Sequence, residues 1–402
     1  MTALSLSVLH FVLGCQTPGA AAAPAAPAAP VGDASALPAP ATPGAPVPWW
    51  DEPYPKAFDV ARLPKKLDVL RVQGNHLVNG AGDTVVLTGV NISDPDKLER
   101  GGHFNRHHFE VIREWGANVV RVPVHPTAWR QRGKAAYLDL LDQTVSWATE
   151  LDLYLIIDWH SIGNLVSELF QHPMYDTTVR ESLEFWRTIA FRYKDVPTVA
   201  FYELFNEPSV RRGTLGLENW TRWKALNEEM ISIIFAHDKR PIPLVAGFDW
   251  AYQLGPIAEQ PIAREGIGYV SHPYPGKAKA PYEANWDQAF GFAAAKYPLF
   301  ITEMGYMGPN DPGAHSPAID DGSYGKRITD YLAAKGASWT AWCFDPDWPP
   351  QLISDWNYTP TASGAHFREV MLAQRAKSRG QATSALGSRH ETAAAGDRRA
   401  HQ

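Results

Sequence analysis

The chain has 402 residues, of which 45% are apolar and 20% charged, with a net charge of −6. That length suits one large domain or two ordinary ones, and the mild negative charge argues against nucleic acid as a partner. Only two cysteines, Cys15 and Cys343, are present, so one disulfide is conceivable but no disulfide framework is. No apolar run reaches the roughly 18 residues of a membrane-spanning helix. The 15 tryptophans ask either for a Trp-rich core or for a cleft that stacks flat ligands.

The N-terminal stretch "LSLSVLHFVLG" (4–14) reads as the apolar region of a signal peptide. The Val12-Leu13-Gly14-Cys15 sequence that closes it resembles a bacterial lipobox. That resemblance implies a lipid on Cys15 and an anchor in the bacterial cell envelope; a plain cleaved signal would give a secreted protein instead. Residues 16–48 are almost wholly Ala, Pro and Gly, cannot bury a core, and read as an extended spacer. A folded domain is expected over 49–375, followed by a disordered tail rich in Arg, Ala, Ser and Gly over 376–402.

Within the domain, a hairpin is predicted over 70–84, followed by eight strand-like runs. These are 85–93, 117–125, 153–161, 199–207, 242–250, 267–275, 298–306 and 338–346. Continuous apolar strands of this kind belong in a parallel sheet covered on both faces. Helical spacing of apolar residues marks 137–152, 180–195, 217–238 and 324–336, the last ending on Gly336. The repeated strand-then-helix unit predicts an α/β fold, a closed (β/α)8 TIM barrel whose floor the short N-terminal hairpin closes. An open doubly wound sheet would carry a Gly-rich phosphate loop after its first strand, and "GVNISDPDKL" is not one.

Active sites of such barrels lie at the C-terminal ends of the strands. The residues there are Asn91, Arg121, His125, Asp158, His160, Asn206, Glu207, His272, Tyr274, Glu303, Trp342 and Asp345. Each has an ordinary structural reading, but together they are too polar and too convergent for packing alone. Glu207 ends the fourth run and Glu303 the seventh, so their carboxylates can face each other across the mouth. Opposed carboxylates suit cleavage of a glycosidic bond, one as acid and the other as nucleophile.

At these positions the chain resembles glycoside hydrolase family 5, over about residues 65–374. "LFNEP" (204–208) is similar to that family's acid/base motif and "ITEMG" (301–305) to its nucleophile motif. Arg121 in "VRVPV", His160 in "DWH", His272 and Tyr274 in "SHPY" and Trp342 in "WTAWCFD" also match. The resemblance implies a retaining β-glycosidase acting on a β-linked oligo- or polysaccharide, with endo-β-1,4-glucanase as first reading. β-Mannanase and exo-acting β-glucosidase are the alternatives within the family. It implies Glu207 as acid/base and Glu303 as nucleophile, with Arg121 and Tyr274 keeping Glu303 ionised. Asn206 is expected to bond the sugar 2-hydroxyl, and Pro208 to stop the strand. His160 and His272 are expected to bind hydroxyls or orient the carboxylates, and Trp342 to floor the subsite of the attacked sugar. Trp250 and Trp348 are candidate extensions of the cleft, and the loop 160–179 a candidate wall.

No metal and no cofactor is called for, and a monomer is expected. A metal-dependent barrel remains as a rival because His103, His107 and His108 cluster in "GGHFNRHHF" and "DWH" adds Asp158 and His160. Its usual first-strand H-x-H pair is missing, and "NRHHF" reads as a helix start facing solvent. The other rival, a catalytically silent sugar-binding barrel, would have lost one of the two carboxylates.

Overall fold

Eight parallel strands close on themselves: β1 (Thr88–Asn91), β2 (Val119–Val124), β3 (Tyr154–Trp159), β4 (Val199–Glu203), β5 (Ile242–Ala246), β6 (Gly268–Val270), β7 (Leu299–Ile301) and β8 (Ser338–Ala341). Each pairs with its neighbours in sequence, and β8 returns to β1 through Trp339↔Thr88 and Ala341↔Val90. This is the expected (β/α)8 barrel, seen in a computed structural model that describes residues 48–209, 215–216 and 219–378. The signal peptide, Cys15 and nearly all of the spacer fall outside the described residues, as does the tail from 379.

The strands are apolar on both faces because both faces are covered. Val119, Ile156, Phe201, Leu244, Val270 and Phe300 pack inside the barrel. Val120, Val122, Leu155, Ile157 and Tyr202 pack outward against the helices. Side chains alternate along a strand, so the residues two further along from the inward set also point inward. Those are Arg121, Asp158, Glu203, Ala246, His272 and Thr302, all buried and all but Ala246 polar. A polar layer therefore sits on an apolar one, at the C-terminal mouth.

The helices begin and end where local chemistry dictates. Asn105 caps Arg106–Glu114, Thr178 caps Val179–Arg192, and Asn219 caps Trp220–Phe235, each side chain accepting from a backbone N–H of the first turn. Gly336, at φ 64°, ends Tyr324–Lys335 in the left-handed conformation that glycine adopts most easily.

Three details differ from the sequence reading. The floor element has three strands, Arg71–Gln73, His76–Val78 and Thr84–Val85, so the first apolar run is split between floor and barrel. Leu70 and Leu77 plug the barrel interior from below. The last helix continues to 378, past the expected boundary at 375, with Phe367 and Met371 buried. In "NRHHF", Arg106 and His107 are exposed, but His108 is fully buried against Phe344 and Tyr358. Burial pushes its imidazole down to about 3, so it is a neutral core residue.

The barrel is tight between β1 and β2. A Cβ on Gly89 would lie 1.8 Å from the Val119 carbonyl oxygen, which belongs to backbone and cannot step aside. Gly89→Ala is expected to cost about 1–3 kcal/mol or more, read as a fall in the urea midpoint at unchanged slope.

Candidate active site

The fourth strand ends at Glu203, four residues earlier than the expected 207, so Pro208 is not what stops it. After Glu203 the chain turns out of the barrel, and Glu207–Pro208 pair in parallel with Ile162–Asn164 from the loop after β3. That loop folds back through Leu169–Phe170 as a small sheet, which gives the NEP turn a rigid backing. Pro208 also accepts a backbone bond from Trp250 in the loop after β5 (3.0 Å).

Arg121, fully buried on β2, organises the layer below. Its Nε and Nη2 donate to the two carboxylate oxygens of Glu203 at 2.7 and 3.0 Å. Its Nη1 donates to Glu303 Oε1 (2.7 Å) and to Asn91 Oδ1 (2.9 Å). Its Nη2 also reaches Asn206 Oδ1 (2.7 Å) and Asp158 Oδ2 (3.0 Å). The Tyr274 hydroxyl donates to the second oxygen of Glu303 at 3.0 Å. His272 bridges the other way, its Nδ1 3.0 Å from Glu207 Oε1 and its Nε2 3.0 Å from Thr302 Oγ1. Donor atoms of Glu207, His272 and Glu303 all lie within 4.8 Å of one another, so the two glutamates do face each other.

The charges follow from this geometry. Burial would raise the Glu203 carboxyl, but Arg121 and His272 outweigh it and leave it lowered. Burial raises Glu303; His272 and Arg121 oppose that, Glu207 and Glu203 reinforce it, and the net direction is upward. Asp158 goes up through burial despite Arg121. Burial would lower His272, but Glu303, Glu203 and Glu207 overcome it and lift the imidazole to about 9. It is therefore a cation at neutral pH and donates to Glu207. Tyr274 is held neutral by burial and by both glutamates, so its hydroxyl stays a donor.

The predicted residues gather around one cleft of about 510 Å³. His160, Asn206, Glu207, Tyr274, Glu303, Trp342 and Trp250 line it, and Arg121 and His272 lie directly beneath. The loop after β3 contributes Ile162, Gln171 and Tyr175 to its wall. His160 bonds Asp158 through Nδ1 at 2.6 Å and stacks parallel to Trp342, with ring centroids 5.5 Å apart. Burial lowers its pKa and keeps the ring neutral. Trp348 is not among the lining residues; it sits beside Trp342 (5.9 Å) with Lys97 over its ring. Trp250 is fixed by its own Nε1, which donates to Gln171 Oε1 at 2.8 Å.

Glu203 and Thr302 escaped the sequence reading, and Gln171, Tyr175 and Lys277 of the cleft wall were not singled out. A signal for Glu203 existed: a carboxylate two residues after Phe201 in an otherwise apolar run must point inward. The rival histidines do not converge. His108 is core, and His103 stacks on Trp356 at 3.7 Å. The Glu207–His272–Glu303 trio has a cation site's composition. However, both ring nitrogens of His272 are engaged with protein partners, so neither offers a lone pair.

A family model described as Cellulase (glycosyl hydrolase family 5) matches residues 78–347. The chain belongs to glycosyl hydrolase family 5. By family it is a glycoside hydrolase. This family 5 chain is 50% identical to a beta-glucanase from Saccharophagus degradans of known structure, covering 81% of this chain and 99% of that one with a TM-score of 0.79. That beta-glucanase has also been solved with cellotetraose. The catalytic domain of a Thermobifida fusca endoglucanase, 22% identical with a TM-score of 0.62 over 75% of this chain and 97% of that one, shares the fold. Among curated relatives, Endoglucanase A of Butyrivibrio fibrisolvens is 25% identical over 70% of this chain and 60% of that protein. The family 5 chain thus spans 60% or less of the length of its first curated relatives.

Proposed function

We propose that the chain hydrolyses internal β-1,4 linkages of a glucan with retention, through Glu303 as nucleophile and Glu207 as acid/base. The observation that carries this reading is the unequal environment of the two facing glutamates. Arg121 and Tyr274 both donate to Glu303, whereas Glu207 meets only His272 among them. Arg121 and Tyr274 thus hold both oxygens of Glu303 in place for attack, which leaves the acid/base role to Glu207. The glucan preference is supported by the names of the relatives, which are endoglucanases and a beta-glucanase.

In the first step a Glu303 oxygen attacks the anomeric carbon. The bond to the leaving oxygen breaks, and that oxygen takes the proton of Glu207. In the second step Glu207 removes a proton from water, whose oxygen attacks the same carbon and releases Glu303. Asn206 keeps Oδ1 on Arg121 while its Nδ2 is buried without a protein partner, so that N–H is the donor for the sugar 2-hydroxyl. Trp342 supplies the flat face under the attacked ring, His160 an acceptor beside it, and Trp250 the wall beyond Glu207.

One carboxylate oxygen of Glu207 lies within 4.8 Å of one of Glu303, which favours double displacement over the roughly 6.5–9.5 Å spacing that an inverting pair needs. Proton NMR of the first product from β-glucan should show the β anomer; an α anomer would refute the scheme. The same assay on mannan, xylan and short aryl glucosides tests the substrate. Shortening of β-glucan to mixed oligomers is expected, and release of glucose alone would mark an exo-acting enzyme. Export follows the same logic: in a Gram-negative host the full chain should fractionate with membranes, and Cys15→Ser should release it. Wild-type protein found wholly soluble would refute the anchor.

A further inference from the structure

We propose that Glu203 is a positioning residue of this reaction, holding Arg121 and His272 in the places from which they act on Glu303 and Glu207. The proposal rests on the two-glutamate reading above. Glu203 does not line the cleft: it is fully buried, one layer below the mouth. Both of its oxygens are committed to Arg121, in the two-pronged geometry that fixes a guanidinium plane most firmly. The remaining N–H groups of Arg121 are thereby aimed at Glu303, Asn206, Asn91 and Asp158. The same carboxylate accepts from Thr302 Oγ1 at 2.9 Å, and that hydroxyl contacts His272 Nε2 at 3.0 Å. His272 Nε2 itself is 3.6 Å from Glu203 Oε1. One buried anion thus tethers the side chain that charges the nucleophile and the one that bonds the acid.

The charge count makes the same point. Arg121 and His272 are two cations in a fully buried layer. Glu203, Asp158, Glu207 and Glu303 face them, with the neutral Tyr274 and Tyr175 hydroxyls above. Glu203 is the carboxyl whose environment holds it lowered, so it is the permanent counter-charge of the layer. Its negative charge raises both Glu303 and His272.

Glu203→Gln keeps the shape and removes that charge. The variant is expected to fold and to keep KM for β-glucan, while kcat falls about 100-fold, the cost of a small misplacement at the reacting atoms. Loss of a nearby anion makes the neighbouring groups more acidic, so both limbs of the pH profile of kcat/KM should move to lower pH, by ~1 unit. Glu203→Asp, which retains the charge on a shorter arm, should lose rate with the limbs close to their wild-type positions. A merely structural role would lower the rate or the folded fraction of both variants without moving either limb. Unmoved limbs in Glu203→Gln would therefore overturn the proposal, as would an unchanged rate. If Glu203→Gln does not fold, Glu203→Asp decides: wild-type kcat in that variant overturns the proposal, as does a lowered kcat matched by a lowered thermal midpoint, and a lowered kcat at unchanged KM and unchanged thermal midpoint supports it. The underlying reading fails separately, since turnover by Glu303→Gln would sink it whatever Glu203 does.

Discussion

Glu303→Gln is expected to abolish turnover while leaving the fold and the thermal midpoint intact. The amide is close in shape to the carboxylate, so Arg121 and Tyr274 keep a partner, but it cannot form the ester with the anomeric carbon. The loss should be on the order of 10⁴- to 10⁶-fold in kcat, the scale seen when a covalent nucleophile is removed. Glu207→Gln should behave differently. Loss of a general acid costs on the order of 10²- to 10⁴-fold, and only where the leaving group needs a proton. An aryl glycoside with an acidic phenol needs none, so this variant should still release one equivalent of phenol in a burst and then stall as the glycosyl ester. Mass spectrometry of the stalled protein would find the sugar on the peptide containing Glu303. A burst from Glu303→Gln, or none from Glu207→Gln, would reverse or refute the roles.

Arg121→Met should have the largest effect on stability. The guanidinium is fully buried and pairs with Glu203, Glu303 and Asp158. Removing it strands buried carboxylates, which typically costs about 3–5 kcal/mol, or a fall of roughly 5–15 °C in the thermal midpoint. The pH dependence should also invert. In the wild type, Glu203 is lowered below its unfolded value, so its contribution is present at neutral pH and lost as pH falls through the folded value. In the variant, Glu203 keeps only the more distant His272 as counter-charge, burial outweighs it and raises the carboxyl, so the folded state binds its proton more tightly. Stability of Arg121→Met should then decline as pH rises through the unfolded value, about 4.3. Glu203→Leu added to Arg121→Met should recover part of the loss, because the stranded charge is gone. Equal stability of wild type and Arg121→Met at neutral pH would contradict the account.

The fold and most of the residues of the candidate site were legible in the chain itself because both depend on local regularities. An apolar run buried on both faces announces a parallel strand, and eight such runs with helical segments between them announce a barrel. The residue that ends each run must then stand at the mouth. Arg121, His160, Asn206, Glu207, His272, Tyr274, Glu303 and Trp342 were all found that way, and the structure brings them to one cleft and the layer beneath it.

What the sequence could not decide is which of these groups touch. Glu203 and Arg121 are 82 residues apart, and Arg121 and Glu303 are 182 apart. Their meeting depends on closure of the barrel and on a strand register that sets Asn91 beside Arg121. Glu203 stayed hidden inside an apolar run because only the closed barrel shows that its inward position faces a guanidinium rather than hydrocarbon. The same holds for the aromatics. Trp159, Trp186, Trp223 and Trp286 are wholly buried, Trp250 and Trp342 line the cleft, and Trp348 stands beside it. All look alike as letters, since a tryptophan face serves core or cleft equally well. Composition and periodicity fix the layer in which a side chain lies, whereas its partner across the barrel is set by backbone pairing between segments far apart in the chain.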